Sequence, residues 1–432
     1  MIILYNILIL IIIFFGFPII VPIMLLSEKR RKTLLQRLGL VPISGNLNKI
    51  GGFPIWIHAL SVGEVLSALP LAEKLGNRFG FKNIVFSAST QTGFEIANKH
   101  LNGKVNAVFY FPYDLLFSVK HIANQITPCL VVIVETDIWP NFLFEMKKRN
   151  IPVLLVNARL SEKSFAGYRR FSFFTKALFL NFSKICAQTD EDARRFNLLG
   201  APHETISVTG NMKFDQADAT ISHEEIAQLR QLLKIPTGRK IIVAGSTHRG
   251  EEEILADAFS RLKQDYGDLV LIVVPRDPNR AESVSRIFKF RGFSALTMSA
   301  LKESAADAGS EVIVIDVIGL LRKLYSLADC AFVGGSLVNF RGHNPLEPAV
   351  FAKPVLFGPY MSDFKQIANM LLESGGAVQV RDAEHFCKAV IMFLTDKTKA
   401  EEIGKRAFEI FYANKGAVGK TAAEIEKIFS RP

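Results

Sequence analysis

The residues best placed for chemistry sit at the ends of short β-branched runs. Glu64 lies in Ala59-Leu60-Ser61-Val62-Gly63-Glu64-Val65, directly after Trp56-Ile57-His58. Glu135 and Asp137 open the stretch Glu135-Thr136-Asp137-Ile138-Trp139-Pro140-Asn141, and Lys213 lies in Met212-Lys213-Phe214-Asp215 after Val208-Thr209-Gly210-Asn211. A carboxylate beside a reacting hydroxyl can take its proton as a general base, and a cation can hold a departing anion. Each position also has a plainer reading. Ser61 and Glu64 fit a capping box at a helix start, and a lone lysine past a strand is usually just solvated. Three strand ends presenting Glu, Glu and Lys toward one region are harder to dismiss than any one of them.

A second group follows later in the chain. Ala244-Gly245-Ser246-Thr247-His248-Arg249-Gly250-Glu251-Glu252-Glu253 is a glycine turn running into an acidic helix start, where free N–H groups can hold a phosphate. Val274-Pro275-Arg276-Asp277-Pro278-Asn279-Arg280 offers two arginines suited to bidentate phosphate or carboxylate contacts. Gly334-Gly335-Ser336 and then Gly342-His343-Asn344-Pro345-Leu346-Glu347-Pro348 make another strand, glycine loop and helix start, where Asn344 or Glu347 can bond ribose or base. Two lookalikes are set aside. GAVGKT at 416–421 ends like a phosphate-binding loop, but the first glycine of that motif falls on Asn414 and no strand precedes it. Asp190-Glu191-Asp192 spells DxD, yet behind Thr189 it reads as a capped, acidic first helical turn.

The elements that must position these residues form two series of β-branched runs separated by amphipathic stretches. The first comprises 55–58, 83–87, 105–109, 130–134, 153–156 and 184–187; the second comprises 240–244, 269–274, 311–315, 330–333 and 354–356. Such alternation is the sign of parallel βαβ units. The expected architecture is α/β, with two Rossmann-like domains facing a cleft and ligands at strand C-terminal ends. Residues 27–217 form the first domain, 218–238 a polar linker with Pro236 and Gly238, and 239–432 the second domain.

Residues 1–26 are expected to be a membrane anchor. No charged residue occurs from Met1 to Ser27, and this apolar run is long enough to cross a bilayer core of about 30 Å as one helix. A cleaved signal peptide would need a basic start and a small-residue cleavage site, and neither is present. Lys29, Arg30, Arg31, Lys32 and Arg37 follow, which by the positive-inside rule leaves the rest in the cytoplasm. The formal charge of +11 is concentrated early, with 24 basic and 14 acidic residues in 1–215, and this points to an anionic partner. One further segment is lipid-seeking: Phe165, Tyr168, Phe171, Phe173, Phe174, Phe179 and Phe182 alternate with Arg169, Arg170 and Lys176. A buried helix with basic residues at its rim explains that pattern equally well. Because the excess charge adjoins the apolar run and this stripe, nucleic acid is the disfavoured partner. Cys129, Cys186, Cys330 and Cys387 are widely spaced and form neither a disulfide framework nor a zinc motif, which favours a reducing compartment.

HALSVGEV, ETDIWPN with NARLSEKS after it, VTGNMKFD, AGSTHRGEEE, VPRDPNR and GGSLVNFRGHNPLEPA occur in the order found in the Kdo transferases, the 3-deoxy-D-manno-octulosonate transferases of lipopolysaccharide assembly. The chain resembles that family over nearly its whole length. The resemblance implies a GT-B fold and a metal-independent, inverting transfer of Kdo from CMP-Kdo to the lipid A precursor, lipid IVA, at the cytoplasmic face of the inner membrane. It implies no cofactor beyond the donor substrate. By motif it assigns Glu64 as catalytic base, and Glu135 and Lys213 to transition-state stabilisation. Pro275, Arg276, Ile318, Gly319, Leu320, Asn344, Pro345, Leu346 and Glu347 match its CMP-binding positions. Where the family usually has PRHPER this chain has Asp277 and Asn279; where it usually has DTMGEL, Leu320 replaces the acidic residue; and Arg341 stands where glycine is usual. A membrane-anchored transferase using another nucleotide sugar, or a nonenzymatic lipid-binding relative, would share the fold.

A protein lacking residues 1–26 is expected to stay folded and still to associate with anionic membranes, because the basic aromatic surface adds electrostatic attraction to apolar insertion; flotation with liposomes at low and high salt checks this. A truncated protein that ignores such liposomes at low salt would leave the apolar run as the only membrane contact.

Overall fold

Alternating β-branched runs and amphipathic helices build two seven-stranded sheets, each parallel throughout, in a computed structural model of the chain. It describes residues 2–43, 45, 52, 54–216, 221–303 and 309–429, with only the backbone at 19–21, 23–25, 29, 30 and 32. The first sheet comprises β1 (Ile55–Ala59), β2 (Ile84–Ala88), β3 (Ala107–Tyr110), β4 (Leu130–Val134), β5 (Val153–Ala158), β6 (Lys184–Ala187) and β7 (Ile206–Val208), in the order β3-β2-β1-β4-β5-β6-β7. The second comprises β8 (Lys240–Thr247), β9 (Leu269–Pro275), β10 (Ala295–Thr297), β11 (Val312–Val314), β12 (Cys330–Val333), β13 (Val355–Phe357) and β14 (Ala377–Gln379), in the order β10-β11-β9-β8-β12-β13-β14. Two parallel sheets of this kind are the GT-B-type α/β architecture expected. The strands β7, β10 and β14 were not expected; each is a three-residue strand at the end of its sheet and only partly buried, so it shows neither a period nor a continuous apolar run.

Helices cover both faces of each sheet, which is why the strands read as continuous apolar runs. Along β1 all five residues are buried. Ile55, Ile57 and Ala59 pack with Val65, Ala68, Leu71 and Leu75 of the helix Val62–Phe79, while Trp56 faces Phe109, Phe111 and Phe142 on the other side. In the first sheet the chain winds outward in one direction and then returns to the middle to wind the other way; in the second it does the same, except that β10 takes the edge first and β11 fits back between β10 and β9. The reversal falls between β1 and β4 in the first sheet and between β8 and β12 in the second. The pairings Ile55↔Leu130 through His58↔Ile133 and Cys330↔Ile242 through Val333↔Gly245 keep the C-terminal ends of these neighbours level. A crevice opens at such a point, because the two flanking loops leave the sheet in opposite directions.

Three boundary expectations need correction. The chain divides into one unit of Met1–Gln216 with Lys415–Pro432 and a second unit of Ala217–Asn414. The expected 218–238 linker instead holds the helix His223–Leu232, closed by a capping box between Ser222 and Glu225, and Leu229, Leu233 and Ile235 are buried in the second unit's core. Its polar composition is the outer face of an amphipathic helix; residues 217–220 lie outside the described residues. The last helix, Ala417–Phe429, was expected with the second domain but packs Ala417, Val418, Ala422 and Ile425 into the first unit's core. Asp215 fixes it there, accepting the N–H groups of Gly416 and Val418 at 2.6 Å each. That carboxylate occupies the helix start within GAVGKT, where Gly416, with φ +101°, makes the turn into the helix and Gly419 lies inside it.

The aromatic segment is also resolved into parts. Phe179 and Phe182 are buried, and Phe165, Tyr168 and Phe174 pack partly against the same core. Only Phe171 and Phe173 are exposed, beside exposed Arg169 and Arg170. The DxD stretch begins the helix Asp190–Leu198, where Thr189 accepts the Asp192 N–H and Asp192 accepts the Leu160 N–H at 2.8 Å. At the N-terminus, α1 (Ile2–Leu26) is followed by α2 (Glu28–Arg37). Among the described residues, no helix is long and apolar enough to cross a membrane.

Replacing Asp215 by Ala removes two bonds to a helix start and is expected to lower stability by about 1–3 kcal/mol. Denaturant unfolding of the isolated variant reads this as a lower midpoint with little change in slope; an unchanged midpoint would mean that apolar packing alone holds the last helix.

Candidate active site

The helix after β1 and the loop after β4 bring carboxylates together at the first sheet's reversal. Glu64 lies in the first turn of the helix Val62–Phe79, half-buried. Its Oε2 accepts the Leu60 N–H at 2.6 Å, and its Oε1 lies 3.3 Å from the Ser61 hydroxyl, which donates to it. The plainer alternative, a capping box, is therefore not formed: Ser61 is the N-cap residue by backbone, but its hydroxyl bonds no helix N–H. Burial pushes the Glu64 carboxyl up to about 7, and the negative charge of Glu135 adds to the rise, while the Leu60 N–H opposes it.

Glu135 directly follows β4, with its N–H bonded to Val156 O at 2.8 Å. Its φ is +60°, a left-handed conformation that a non-glycine residue holds only when its surroundings enforce it. Its carboxylate is buried between two cations: Arg159 Nε at 3.3 Å and Lys213 Nζ at 3.8 Å. Lys213 is buried on the 3₁₀ turn Met212–Gln216. Asn157 and Asn211 hold that turn, accepting the N–H groups of Met212 and Lys213 at 3.0 Å each. Asp137, on the same loop as Glu135, bonds His58 Nε2 at 2.8 Å. His58 is fully buried at the end of β1, stacked 3.8 Å from the Phe111 ring, with Nδ1 2.9 Å from Ser87 Oγ. Ser87 Oγ accepts from Trp56 Nε1 at 2.8 Å, and Nδ1 also lies 3.1 Å from the Ser87 carbonyl oxygen. Thus β1, β2 and β4 are tied together directly beneath the carboxylates.

At the second sheet's reversal a buried carboxylate organises two glycine loops. Glu251, fully buried, accepts four N–H groups: His248 at 2.9 Å, Gly335 at 2.7 Å, Ser336 at 2.9 Å and Leu337 at 2.9 Å. This stitches the loop after β8 to the loop after β12. Gly245 is required for close approach, because a Cβ there would stand 2.1 Å from the Tyr325 hydroxyl. His248 and His343 meet at 2.8 Å between their Nε2 atoms in near-parallel rings, with Phe340 stacked on His248. Burial holds both imidazoles below their ordinary range, assisted by the positive charge of Arg276, and His343 falls to about 3. Glu347 is pushed up to about 7 by burial, against the pull of Arg276 and Arg322.

The residues read from sequence separate into groups. Glu64, Glu135 and Lys213 come together in the first unit. In the second, Pro275 ends β9 and Arg276 follows it, exposed, while Asn344 and Pro345 lead from the loop after β12 into the short helix Leu346–Ala349, which holds Leu346 and Glu347. Ile318 is 76% exposed, Gly319 has φ +98°, and Leu320 caps the helix Leu321–Leu327 while packing against the core. Arg280 differs from expectation: it forms a two-pronged pair with the buried Glu252 at 2.9 and 3.1 Å and is committed to structure. The departures from the family pattern are accounted for locally. Asp277 accepts both the N–H and the side-chain amide of Asn279, at 3.1 and 3.0 Å, so the two changes partner each other. Arg341 has φ +71°, which explains why glycine is usual there, and its guanidinium pairs with Asp363 at 2.8 Å. Sequence reasoning gave no role to His58, Arg159, Glu251 or the His248–His343 pair. The available signal was their place at or near strand ends, His58 in β1, Arg159 directly after β5 and His248 and Glu251 shortly after β8; His343 lies well past β12 and carried none.

Residues 32–216 match the family model described as 3-deoxy-D-manno-octulosonic-acid transferase (kdotransferase). A 3-deoxy-D-manno-octulosonic acid transferase of Haemophilus influenzae is 35% identical over 393 residues, 91% of this chain and 90% of that one. A bifunctional glycosyltransferase/methyltransferase of Fusobacterium nucleatum is 38% identical over 350 residues, 81% of this chain but 54% of that protein. Among solved structures, a UDP-GlcNAc 2-epimerase from Neisseria meningitidis superposes with a TM-score of 0.56 at 14% identity, covering 86% of this chain and all of that one. That likeness is one of fold.

A carboxyl poised near 7 accepts protons only once ionised, so activity that depends on Glu64 should fall about tenfold per pH unit below 7. Replacing Glu135 by Gln removes a like charge that raises Glu64, and is expected to move the acid limb of kcat/KM to lower pH. An acid limb that stays in place would separate the two carboxylates.

Proposed function

This chain belongs to the 3-deoxy-D-manno-octulosonic-acid transferases, and on that premise we propose that it moves Kdo from CMP-Kdo to the lipid A precursor lipid IVA with Glu64 as general base. The observation that carries the assignment is the half-buried Glu64 carboxyl, raised to about 7 beside Glu135 at the sheet reversal. A hydroxyl has a pKa far above neutrality, so it needs a base as it attacks, and a base works best with a pKa near the working pH. The Leu60 N–H holds Oε2, and Oε1 takes the acceptor proton. The acceptor oxygen then bonds to the anomeric carbon of Kdo on the face opposite the phosphate. The bond from that carbon to the phosphate oxygen breaks, and its electron pair leaves with CMP. Inversion follows from the single displacement.

Positive charge develops on the sugar ring as the bond to phosphate stretches, and a nearby carboxylate stabilises it, as in glycoside hydrolysis. Glu135 fills that role in this reading, held in place by Lys213 and Arg159. Lys213 offsets the negative charge of the donor carboxylate and departing phosphate. Because the leaving group is a monophosphate, no diphosphate has to be clamped by a metal. In the second unit Arg276 meets the phosphate, and the backbone at Ile318–Leu320 with Asn344–Glu347 receives the nucleoside. In this reading the reaction takes place at the cytoplasmic face of the inner membrane, where the lipid acceptor is held and α1 serves as anchor.

Glu64→Gln preserves shape and can still accept the Leu60 N–H. It is expected to melt within a few degrees of the parent, bind CMP normally and lose about 100-fold or more in turnover, with product masses read on lipid A precursor and a CMP-Kdo supply. Near-parental turnover in the folded variant would transfer the base to Glu135 or Asp137. Arg276→Ala is expected to weaken CMP binding by about 1.5–3 kcal/mol in calorimetry. Unchanged affinity would take Arg276 out of the donor site.

A further inference from the structure

Among the described residues of α1 only Tyr5 and Asn6 carry polar side-chain heads, and the first unit engages both. The Tyr5 hydroxyl donates to Asp114 Oδ2 at 2.9 Å, and its ring lies 6.2 Å from that of Phe174. Asn6 and Asn141 exchange two hydrogen bonds, 2.8 Å from Asn6 Nδ2 to Asn141 Oδ1 and 2.9 Å in return. The receiving side is rigid. Asn141 is fully buried and Asp114 is 7% exposed, and Asp114 also accepts the N–H groups of Asn141 and Phe142, capping the helix Pro140–Lys148 at 3.0 and 2.8 Å.

The other end of α1 is tethered next door. α2 ends with the Arg37 guanidinium over the rings of Tyr110 and Tyr113, 5.0 and 5.4 Å from their centroids. The Tyr113 N–H bonds the Arg37 carbonyl at 3.1 Å. From Arg37 back to Leu26 the chain is the helix α2 plus the extended Ser27, so Leu26 stands within roughly 20 Å of this tether. The run from Tyr5 to Leu26 measures about 32 Å, and a crossing must carry it through about 30 Å of hydrocarbon. With its start held at Asp114 and its end held within reach of Tyr113, α1 cannot place its two ends on opposite sides. A single leaflet, about 15 Å deep, fits that reach.

We propose that α1 is a monotopic anchor: it is immersed in the apolar part of one membrane leaflet, and its first turn is latched to the catalytic unit on the cytoplasmic side. A helix lying at the water interface would need a polar face. α1 has none, and Leu10 (65% exposed), Ile12 (63%), Phe14 (75%) and Phe15 (75%) stand out on its surface. An all-round apolar helix belongs inside the leaflet. Pro18 and Pro22 lie within it, where each removes a helical hydrogen bond and permits a bend back toward α2. Phe171 and Phe173, exposed at the start of the helix Ser172–Phe179 that carries Phe174, extend the same apolar surface. The latch grips the helix entered directly from the Glu135–Asp137 loop, so the leaflet holding a lipid acceptor adjoins the catalytic carboxylates.

This inference rests on the membrane association in the proposed function, and the test separates the two. Of the native thiols, only Cys129 is not buried, so Ile2→Cys and, as a control, Lys397→Cys are each made in a Cys129→Ser background of the full chain. A membrane-impermeant maleimide is applied to spheroplasts and to inverted inner-membrane vesicles. Both proteins are expected to label only in inverted vesicles. Oxidation of an Asn6→Cys, Asn141→Cys protein in native membranes is expected to give an intramolecular disulfide. Labelling of the Ile2→Cys protein in spheroplasts, where the control stays unlabelled, would mean that α1 crosses, and would overturn the proposal. Recovery of the full chain in the salt-washed soluble fraction would overturn the membrane reading itself, whatever the disulfide result.

Discussion

The reversal of strand order in each sheet is the constraint on which both sites depend. Parallel strands with covering helices bury every strand on both faces, so reactive groups cannot sit within the sheet. They must lie on the loops at strand C-terminal ends, and only at the reversal do neighbouring loops part to leave room. Glu64 and Glu135 flank that point in the first sheet because β1 and β4 are paired in level register. The glycine turns after β8 and β12 flank it in the second.

Electrostatics then divides the labour between neighbours. Several acidic groups gathered on half-buried loops would repel one another unless compensated. Glu135 is given two cations and Asp137 a histidine, whereas Glu64 receives a backbone N–H and the hydroxyl of Ser61. The least compensated carboxyl therefore rises toward neutrality, which is the property a base requires. In the second unit the same logic runs in reverse. Glu251 is satisfied by four N–H groups and becomes a structural staple, and Glu252 is satisfied by Arg280. Arg276 remains exposed at the end of β9, with lowered histidines and a raised Glu347 around it.

Much of this was legible in the sequence, for identifiable reasons. Runs such as 130–134 and 240–244 are apolar because both faces are covered, so the longer strands and the two-domain pattern showed directly. Glu64 and Glu135 were found because each follows such a run, and Lys213 because it follows Val208-Thr209-Gly210-Asn211. Three-residue edge strands carried no period. The helix Ala417–Phe429 could not be assigned to the first unit from composition, since its partner Asp215 lies about two hundred residues earlier. The Phe165–Phe182 stripe shows the limit of patterning: alternation with arginine did not reveal that Phe179 and Phe182 turn inward while Phe173 turns out. Nor could spacing show that Tyr5 and Asn6 meet Asp114 and Asn141, a contact between segments more than a hundred residues apart.

The central claim is that burial and the charge of Glu135 hold the Glu64 carboxyl near neutrality as a ready base. The most direct measurement is the carbon-13 shift of the Glu64 side-chain carboxyl through a pH titration, with the resonance assigned by its loss in Glu64→Gln. The account calls for a midpoint near 7. A midpoint at the ordinary glutamate value of about 4.3 would contradict it, because the carboxylate would then have no more basicity than one in water.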